Sequence, residues 1–417
     1  DLDTLRSALE WAGRTRPDAL IVQDLAVASL AREICVHVPL HASTMMNVHN
    51  AETPQALKMM GFTRVIASRD IPLRNMTEIA ERSGLEVECF VHGDMCIAQG
   101  AQCYLSGIVF GESSNCGRCM KPCRWDWRLA LACDEGKFDG PDKGYLLARK
   151  DLCMLEHIPA LVKHGIASLK IEGRMRTAEF MDPIIRLYRQ DLDAYMSDPD
   201  HYSPDSQALQ EIMDRRVRDY TTAQMFGRPG LDGINPSGQR EPRFFSQAGP
   251  KTRLTLNRDL PARALTGPTE LIVHVSGIDA AQSAVKAGAD AVYLNGDGLI
   301  PNKDDVTLES VEELLDICLA QDKRLTVLLP AITDQQDLNE WRPRLELLAD
   351  LDGLGVGVSN LGALHLVHEL RFGDILANIG FNVANHVAVD ELSTMGVTRV
   401  TAAVEMSLIQ LTDLLIR

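Results

Sequence analysis

The chain has 417 residues, of which 45% are hydrophobic and 24% charged, a composition typical of globular proteins and too long for one small module. Its 58 acidic residues outnumber the 42 basic ones, and the formal net charge of −16 argues against indiscriminate binding to nucleic acid or anionic membrane. No run of about 18 apolar residues and no apolar signal segment occurs, so the sequence predicts a cytoplasmic protein without a membrane span.

Short apolar runs alternate with amphipathic stretches along the first half, a pattern typical of parallel βαβ units. The predicted strands are 19–22, 36–41, 64–67, 86–92 and 168–171, and the predicted helices are 25–33, 54–60, 76–83, 157–163 and 183–196. Gly61, Gly84 and Gly165 follow three of these helices, as glycine caps do. The series predicts an α/β protein with a TIM-like (β/α) barrel.

The composition changes after residue 227, where the chain becomes rich in Gly, Pro and Arg as far as residue 268. We therefore predict a first barrel module over 1–228, a linker over 229–268 and a second, incomplete barrel module over 269–417. In the second module the predicted strands are 271–275, 291–294, 324–329, 354–358, 375–379 and 399–404, and the predicted helices are 280–287 and 311–320.

The two halves also resemble one another. Residues 47–73, shifted by 335, match the later sequence at eleven of 27 positions without a gap, including Asn47, Asn50 and Gly61. This similarity indicates a duplicated βα module. The second copy stops before any counterpart of His92 or the cysteines, and the chain begins with Asp rather than Met, so we expect both barrels to be truncated.

Eight of the ten cysteines fall within 65 residues, which in a long chain without a secretion signal indicates metal or catalytic thiols before disulfides. Soft thiolates suit zinc or an iron–sulfur cluster. Only Cys116 and Cys119 form the close pair that zinc favours, whereas Cys96 and Cys103 are seven residues apart. A larger cluster held from separate loops is therefore favoured over structural zinc or a set of packed free thiols. We expect Cys89 to lie in the core, on its strand. The eight clustered cysteines are Cys89, Cys96, Cys103, Cys116, Cys119, Cys123, Cys133 and Cys153.

Four motifs occur in order in this region: His92-Gly-Asp-Met-Cys96, Gly100-Ala-Gln-Cys103, Gly117–Trp125 and Lys170-Ile-Glu-Gly-Arg174. With Val22-Gln-Asp24, His41-Ala-Ser-Thr44, Ser68-Arg-Asp70 and Lys150-Asp-Leu-Cys153, they resemble the collagenase-like peptidase family, peptidase family U32, from about residue 18 to 230. The chain departs from the family pattern at Asp94, where Ala is usual, and at Gln102, where Arg is usual. It also has Glu112-Ser-Ser in place of a more basic stretch. These departures bear on the substrate more than on the fold.

The resemblance implies a chemistry that differs from the family's name. Several relatives are oxygen-independent hydroxylases of RNA bases or of a quinone precursor, which carry a 4Fe-4S cluster and take oxygen from prephenate. By position, Cys96, Cys103, Cys119 and Cys123 match the ligands of the RNA-hydroxylating relatives, and Cys153 is the rival fourth ligand. The sequence has no H-E-x-x-H or G-x-S-x-G motif, although a Cys–His pair distant in sequence stays open as a peptidase alternative.

Charged side chains at the carboxyl ends of barrel strands face the active-site mouth, and arginine binds carboxylates bidentately. Residues of this kind follow the predicted strands 64–67, 86–92 and 168–171, with structural ion pairing as the alternative for each. The candidate catalytic residues are His92 and Glu172, and the candidate substrate-binding residues are Arg69, Arg124, Lys170 and Arg174.

We therefore expect an iron–sulfur hydroxylase of an RNA base with prephenate or a similar small molecule as donor. Residues 118–128 hold four basic residues and one acid, which permits a phosphate contact. The alternatives are a collagenase-like peptidase, a hydroxylase of a quinone precursor, and a non-enzymatic partner whose second barrel docks a homologous subunit or the substrate.

Overall fold

The computed structural model describes residues 2–100, 102–129, 143–174, 176–238, 269–299 and 306–416. The chain is a mixed α/β protein with parallel sheets and divides into two compact units. The first unit consists of residues 1–63 and 255–417, and the second of residues 64–254. The predicted linker, 229–268, lies mostly outside the described residues, as does Cys133.

The N-terminal segment of the first unit carries two short parallel strands and three helices. Asp24 begins the second helix by accepting a hydrogen bond from Val27 N at 3.1 Å, as an N-cap does. The strand predicted at 36–41 begins only at Leu40, because Val38 N donates to Cys35 O in a turn that leaves Val36 exposed. The elements are α1 (Leu2–Thr15), β1 (Leu20–Val22), α2 (Leu25–Ile34), β2 (Leu40–Ala42) and α3 (Glu52–Met59), and β3 (Phe62–Ile66) spans the boundary between the units.

The second unit is built around one buried strand, Glu86–Gly93. It pairs in parallel with β3, which precedes it, and with the strand Ser168–Glu172. It also pairs antiparallel with Asp151–Cys153, and that strand in turn pairs in parallel with Tyr220–Thr221. From chain start to end the elements are α4 (Leu73–Ser83), β4 (Glu86–Gly93), α5 (Leu105–Phe110), β5 (Trp127–Arg128), β6 (Lys143–Gly144), β7 (Asp151–Cys153), α6 (Ile158–Lys163), β8 (Ser168–Glu172), α7 (Ala178–Ser197), α8 (Ser206–Arg215) and β9 (Tyr220–Thr221).

The C-terminal segment of the first unit is a six-stranded sheet in which the strands follow one another in chain order and every pair is parallel. This order is that of a barrel wall. No pairing within the described ranges joins the first of these strands to the last, so a closed TIM-like barrel stays a prediction. The elements are β10 (Ile272–Val275), α9 (Ile278–Lys286), β11 (Ala291–Asn295), α10 (Leu308–Leu319), β12 (Arg324–Leu328), α11 (Gln335–Leu348), β13 (Gly355–Val358), α12 (Leu361–Glu369), β14 (Ile375–Ala377), α13 (His386–Thr394), β15 (Arg399–Val400) and α14 (Leu408–Ile416).

Elements in the two segments that are similar in sequence correspond at the same offset of 335, while duplication of the module stays a prediction. Strand β2 corresponds to β14, and the 3-10 helix Thr44–Met46 that follows β2 corresponds to Ile379–Phe381. Each 3-10 helix ends at an asparagine in the left-handed conformation, Asn47 with φ 57° and Asn382 with φ 49°. Asparagine tolerates this conformation better than most residues, which explains why the same residue occupies both turns.

The helices of the two copies pack on one another inside the first unit, α3 against α12 and α2 against α13. Arg32 on α2 holds both carboxylate oxygens of Glu391 on α13, at 2.7 and 2.8 Å. Asn50 is fully buried, accepts from Thr53 N at 2.9 Å to begin α3, and donates to Thr333 O at 2.8 Å. In the described part of the chain, no helix has the length and apolar character needed to cross a membrane.

Candidate metal centre

The cysteine-bearing segment leaves the sheet of the second unit at the end of β4. Residues 87–93 of this strand are buried, and β8 runs alongside it. Gly93 has φ 106°, and a Cβ there would overlap the carbonyl oxygen of Glu172, so only glycine permits the close approach of the two strands. The sheet therefore fixes the point from which Asp94 and Cys96 depart.

Four thiols of this segment influence one another electrostatically. Cys119 and Cys123 both interact with Cys96 and Cys103, which are the four residues that the sequence predicts as cluster ligands. Burial raises the pKa of Cys123 to about 12, with Arg124 opposing the rise and the neighbouring cysteines adding to it. Burial likewise raises the pKa of Cys119. Burial thus favours the protonated form of Cys119 and Cys123.

The remaining cysteines differ in their surroundings. Cys89 is buried in β4, as predicted, and burial raises its pKa to about 12. Cys116 is exposed in the turn after Ser113. Cys153 lies on β7 opposite His92, where burial raises its pKa and the Tyr188 hydroxyl is 3.9 Å from its sulfur. All nine cysteines in the described residues are free thiols.

The donor set suits a cluster better than a single ion. Within the described ranges, no group of three or more His, Cys, Asp or Glu residues is placed to hold one metal ion. In a 4Fe-4S cluster each thiolate binds a different iron, so the sulfur atoms stand farther apart than they do around zinc. Lys121 N also donates to the sulfur of Cys119 at 3.3 Å, the kind of hydrogen bond that tunes a cluster's potential. Cys96, Cys103, Cys119 and Cys123 supply the ligand type that such a group uses, and the cluster itself stays a prediction.

A network of buried charges lies directly beside the thiols. The Asp94 carboxylate pairs with Lys121 at 2.7 Å and with Arg176 at 3.0 Å, and Arg218 also contacts it. Asp151 pairs with Arg218 at 2.9 Å and with Arg176 at 3.2 Å. Burial works to raise the pKa of Asp94, but the cations, Arg218 foremost, hold it well below its usual range, whereas burial raises the pKa of Asp151.

Arg69 and Glu172 lie together next to this network. The Arg69 guanidinium stacks on the Phe90 ring at 3.9 Å, donates to Asp94 O at 3.3 Å and is 3.8 Å from Glu172. Among the residues that the structure describes, its buried Nε atom has no hydrogen-bond partner. Burial lowers the pKa of Arg69, and the nearby Cys96 thiol and the two carboxylates oppose this shift. Arg69 thus offers a positive charge and a donor to an anion at the thiol site.

The other predicted substrate-binding residues are placed differently. Arg174 is 81% exposed, 3.8 Å from Glu172, which also accepts from Arg174 N at 2.9 Å. Lys170 points to Glu88, at 3.0 Å, on the neighbouring strand. Arg124 is buried and donates to the carbonyls of Met95, at 2.7 Å, and Arg149. These contacts hold the loop, while the predicted substrate contacts of all three residues stay a prediction.

His92 is buried between two tyrosines. The hydroxyl of Tyr188 lies 3.4 Å from Nδ1 and that of Tyr220 lies 3.4 Å from Nε2. Burial lowers the pKa of His92 to about 4, with the charge of Arg176 adding to the shift. The imidazole is therefore neutral near pH 7, with a tyrosine hydroxyl near each ring nitrogen.

Sequence reasoning missed several members of this site. Asp151 lies inside the motif Lys150–Cys153, and Arg176 lies just after the motif Lys170–Arg174. The sequence did not indicate the residues with which they form ion pairs. Tyr188, Tyr220 and Arg218 carried no signal, because they lie 35 to 128 residues from the site groups they contact and only the fold brings them there.

Proteins with similar sequences are named for two different activities, RNA hydroxylation and collagen cleavage. The chain is 33% identical over 239 residues to a tRNA hydroxylation protein P1 from Bacillus subtilis, covering 56% of each chain. It is 34% identical over 185 residues to a 23S rRNA 5-hydroxycytidine synthase from Escherichia coli, covering 44% of this chain and 27% of that protein. It is 30% identical over 206 residues to a collagenase from Porphyromonas gingivalis, covering 47% and 49%.

These matches leave much of each relative uncovered: the chain spans about half the length of the tRNA hydroxylation proteins that it matches. The family model named Peptidase family U32, in contrast, matches residues 1–235 and 276–416. This match includes the thiol site, the charge network and nearly all of the six-stranded sheet. The chain therefore belongs to peptidase family U32.

Proposed function

We propose that this chain is an oxygen-independent iron–sulfur hydroxylase of an RNA base, in tRNA or rRNA, with prephenate as the hydroxyl donor. The observation that carries the proposal is that four thiols, Cys96, Cys103, Cys119 and Cys123, lie on two segments joined by the 2.7 Å ion pair between Asp94 and Lys121. The names of the tRNA- and rRNA-hydroxylating relatives support the RNA substrate. The proposal includes a TIM-like barrel, duplicated along the chain, as the scaffold.

The four thiols would hold a 4Fe-4S cluster, which supplies one-electron chemistry when bound. Arg69 is the best-placed group to bind a carboxylate of the donor, because its fork lies beside the thiols and its Nε donor is buried without a partner. Glu172, 3.8 Å away, orients that guanidinium. His92, with the hydroxyls of Tyr188 and Tyr220 near its two ring nitrogens, is the proposed group for proton transfer.

A peptidase is the second candidate, because one relative is named collagenase and Cys153 pairs in register with His92. The geometry favours it less. Burial raises the pKa of the Cys153 thiol, which makes it a poor nucleophile, and no positive group is close enough to appear among the main influences on it. A quinone-precursor hydroxylase would use the same thiols, with Cys153 as the rival ligand.

RNA mass spectrometry tests the proposal. Total tRNA and rRNA are compared between cells that encode the chain, cells that lack it, and cells complemented with wild type or with Cys103→Ala. We expect one hydroxylated nucleoside to disappear without the chain and to return only with wild type. Loss of peptide cleavage, rather than loss of a modified nucleoside, would return the peptidase to first place.

The donor site has a matched pair of variants. Arg69→Ala should lower kcat/KM for the carboxylate donor by about 10- to 100-fold, since a hydrogen bond to a charged group contributes about 1.5 to 3 kcal/mol. Arg186→Ala, in which the lost guanidinium is 63% exposed on α7, should change it by less than about threefold. Equal effects of the two substitutions would remove Arg69 from the donor site.

A further inference from the structure

The network around Asp94 connects the two segments that carry the four thiols. Asp94 lies two residues before Cys96, and Lys121 lies midway between Cys119 and Cys123. Their side chains meet at 2.7 Å, while the side chains remain only 18% and 23% exposed. One short ion pair thus joins the segment of the first cysteine pair to the segment of the second.

The same carboxylate is anchored to the body of the second unit. Arg218, 2% exposed, bridges Asp94 and Asp151, and Arg176, 13% exposed, does the same. Asp151 belongs to β7, in the sheet itself. The thiol segments are therefore held to the sheet through two arginines that share two carboxylates.

The backbone beside these charges is held as well. The carbonyls of Asp94 and Met95, immediately before Cys96, accept from Arg69 at 3.3 Å and from Arg124 at 2.7 Å. Lys121 adopts the left-handed conformation, with φ 51°, which costs a residue with a side chain roughly 1 to 2 kcal/mol. This turn reverses the chain between Cys119 and Cys123, and the ion pair with Asp94 offsets its cost.

We propose that Asp94 is the positioning residue of the thiol site: through Lys121, Arg176 and Arg218 it keeps the two cysteine pairs facing one another before any metal binds. The inference rests on the proposed function, because in that function the thiols hold a cluster. It does not make Asp94 a ligand or an acid, because three cations already occupy its carboxylate. Preorganised thiols bind without the cost of ordering the loop at that moment.

The test uses thiol alkylation of the metal-free full chain, followed by peptide mass spectrometry, together with iron content after anaerobic reconstitution. Asp94→Asn keeps the shape and removes the charge, and Asp94→Glu restores the charge. In Asp94→Asn we expect half-buried Cys103 and Cys123 to react several-fold faster, exposed Cys116 to react at the wild-type rate, and iron per chain to fall at least twofold. Asp94→Glu should bring the alkylation rates and the iron content most of the way back to their wild-type values.

The control is Asp182→Asn, which breaks an exposed ion pair with Arg186 on α7 of the same unit, where the side chains are 65% and 63% exposed. It should match wild type in both measurements. If Asp94→Asn fails to fold, Lys121→Asn takes its place, because asparagine tolerates the left-handed turn and removes the charge.

The outcomes separate the two proposals. Wild-type alkylation rates and iron content in Asp94→Asn would overturn the positioning role of Asp94. Faster alkylation in Asp94→Asn, in a chain whose wild type takes up no iron, would support the positioning role and overturn the iron–sulfur function.

Discussion

Segments 40–66 and 375–400 pass through the same series of elements, yet they lead to different surroundings. Each has a short strand, a 3-10 helix ending in left-handed asparagine, a helix begun by an asparagine side chain, and a strand beginning near a matched arginine, Arg64 or Arg399. After the first segment comes β4, and then the thiols and the buried charges. The two segments therefore share one local scaffold, and the thiols and buried charges follow the first of them.

The largest expected effect lies in the buried charge network beside the thiols. Arg218→Met should lower the free energy of unfolding by about 3 to 5 kcal/mol, because removing one partner of a buried ion pair leaves carboxylates uncompensated. Arg216→Met, two residues away, removes a part-exposed pair with Asp219 and should cost less than about 1 kcal/mol. Denaturant unfolding followed by circular dichroism measures both, and equal costs would contradict a dominant role for the network.

His92 gives the next effect, as a pH dependence. Between pH 6.5 and about 4 the unfolded chain binds a proton at this histidine and the folded chain does not, so stability falls as the pH is lowered through that range. A shift of this size corresponds to at most about 3 kcal/mol. Unfolding curves of wild type and His92→Gln at pH 7 and pH 4.5 should show a smaller loss in the variant. Parallel losses would mean that His92 is protonated in the folded protein.

The matched asparagines provide a direct comparison of the copies. Asn385 accepts only from Ala388 N, at 3.0 Å in the described contacts, whereas Asn50 caps α3 and also donates to Thr333 O inside the core. Asn385→Ala should cost about 1 kcal/mol, the usual value of an N-cap. Asn50→Ala should cost about 2 to 3 kcal/mol, because a buried carbonyl also loses its donor. Similar costs in thermal unfolding would show that the second bond contributes little.

The smallest difference is expected at the matched arginines. Arg64 pairs with Glu86, which is 57% exposed, and with Glu88, so Arg64→Ala should cost less than about 1 kcal/mol and less still at high salt. Arg399 binds both oxygens of Asp374 and also reaches Thr326 and Tyr293. Arg399→Ala should therefore cost more, about 1 to 2 kcal/mol, and depend less on salt. Unfolding at two ionic strengths distinguishes the two.

Much of the fold followed from the sequence because its strands are short apolar runs and several helices have one apolar face. Strands β4, β8, β11 and β12 and helices α2, α4 and α6 lie within about three residues of their predicted bounds. Helices α11 and α12 were not predicted. Helix α12 is apolar on nearly every side and buried, and α11 contains Pro343, so neither shows a clear amphipathic stripe.

The candidate site was predictable only where a motif carried it. Cysteine spacing and family resemblance identified the four thiols, and the rule for strand ends identified Arg69, His92 and Glu172. The sequence did not reveal that Asp94, an apparent departure from the family pattern, is the centre of an ion-pair network, because Arg218 lies 124 residues away. Partner choice over such distances depends on the register of β4, β7 and β9, which no local pattern specifies.

Iron and acid-labile sulfide analysis after anaerobic purification tests the central claim most directly, with wild type, Cys103→Ala and Cys116→Ala compared. The account predicts about four irons per wild-type chain with a broad visible absorption band, loss of both in Cys103→Ala and retention in Cys116→Ala. A wild-type chain that stays free of iron after reconstitution, or that holds zinc instead, would contradict it.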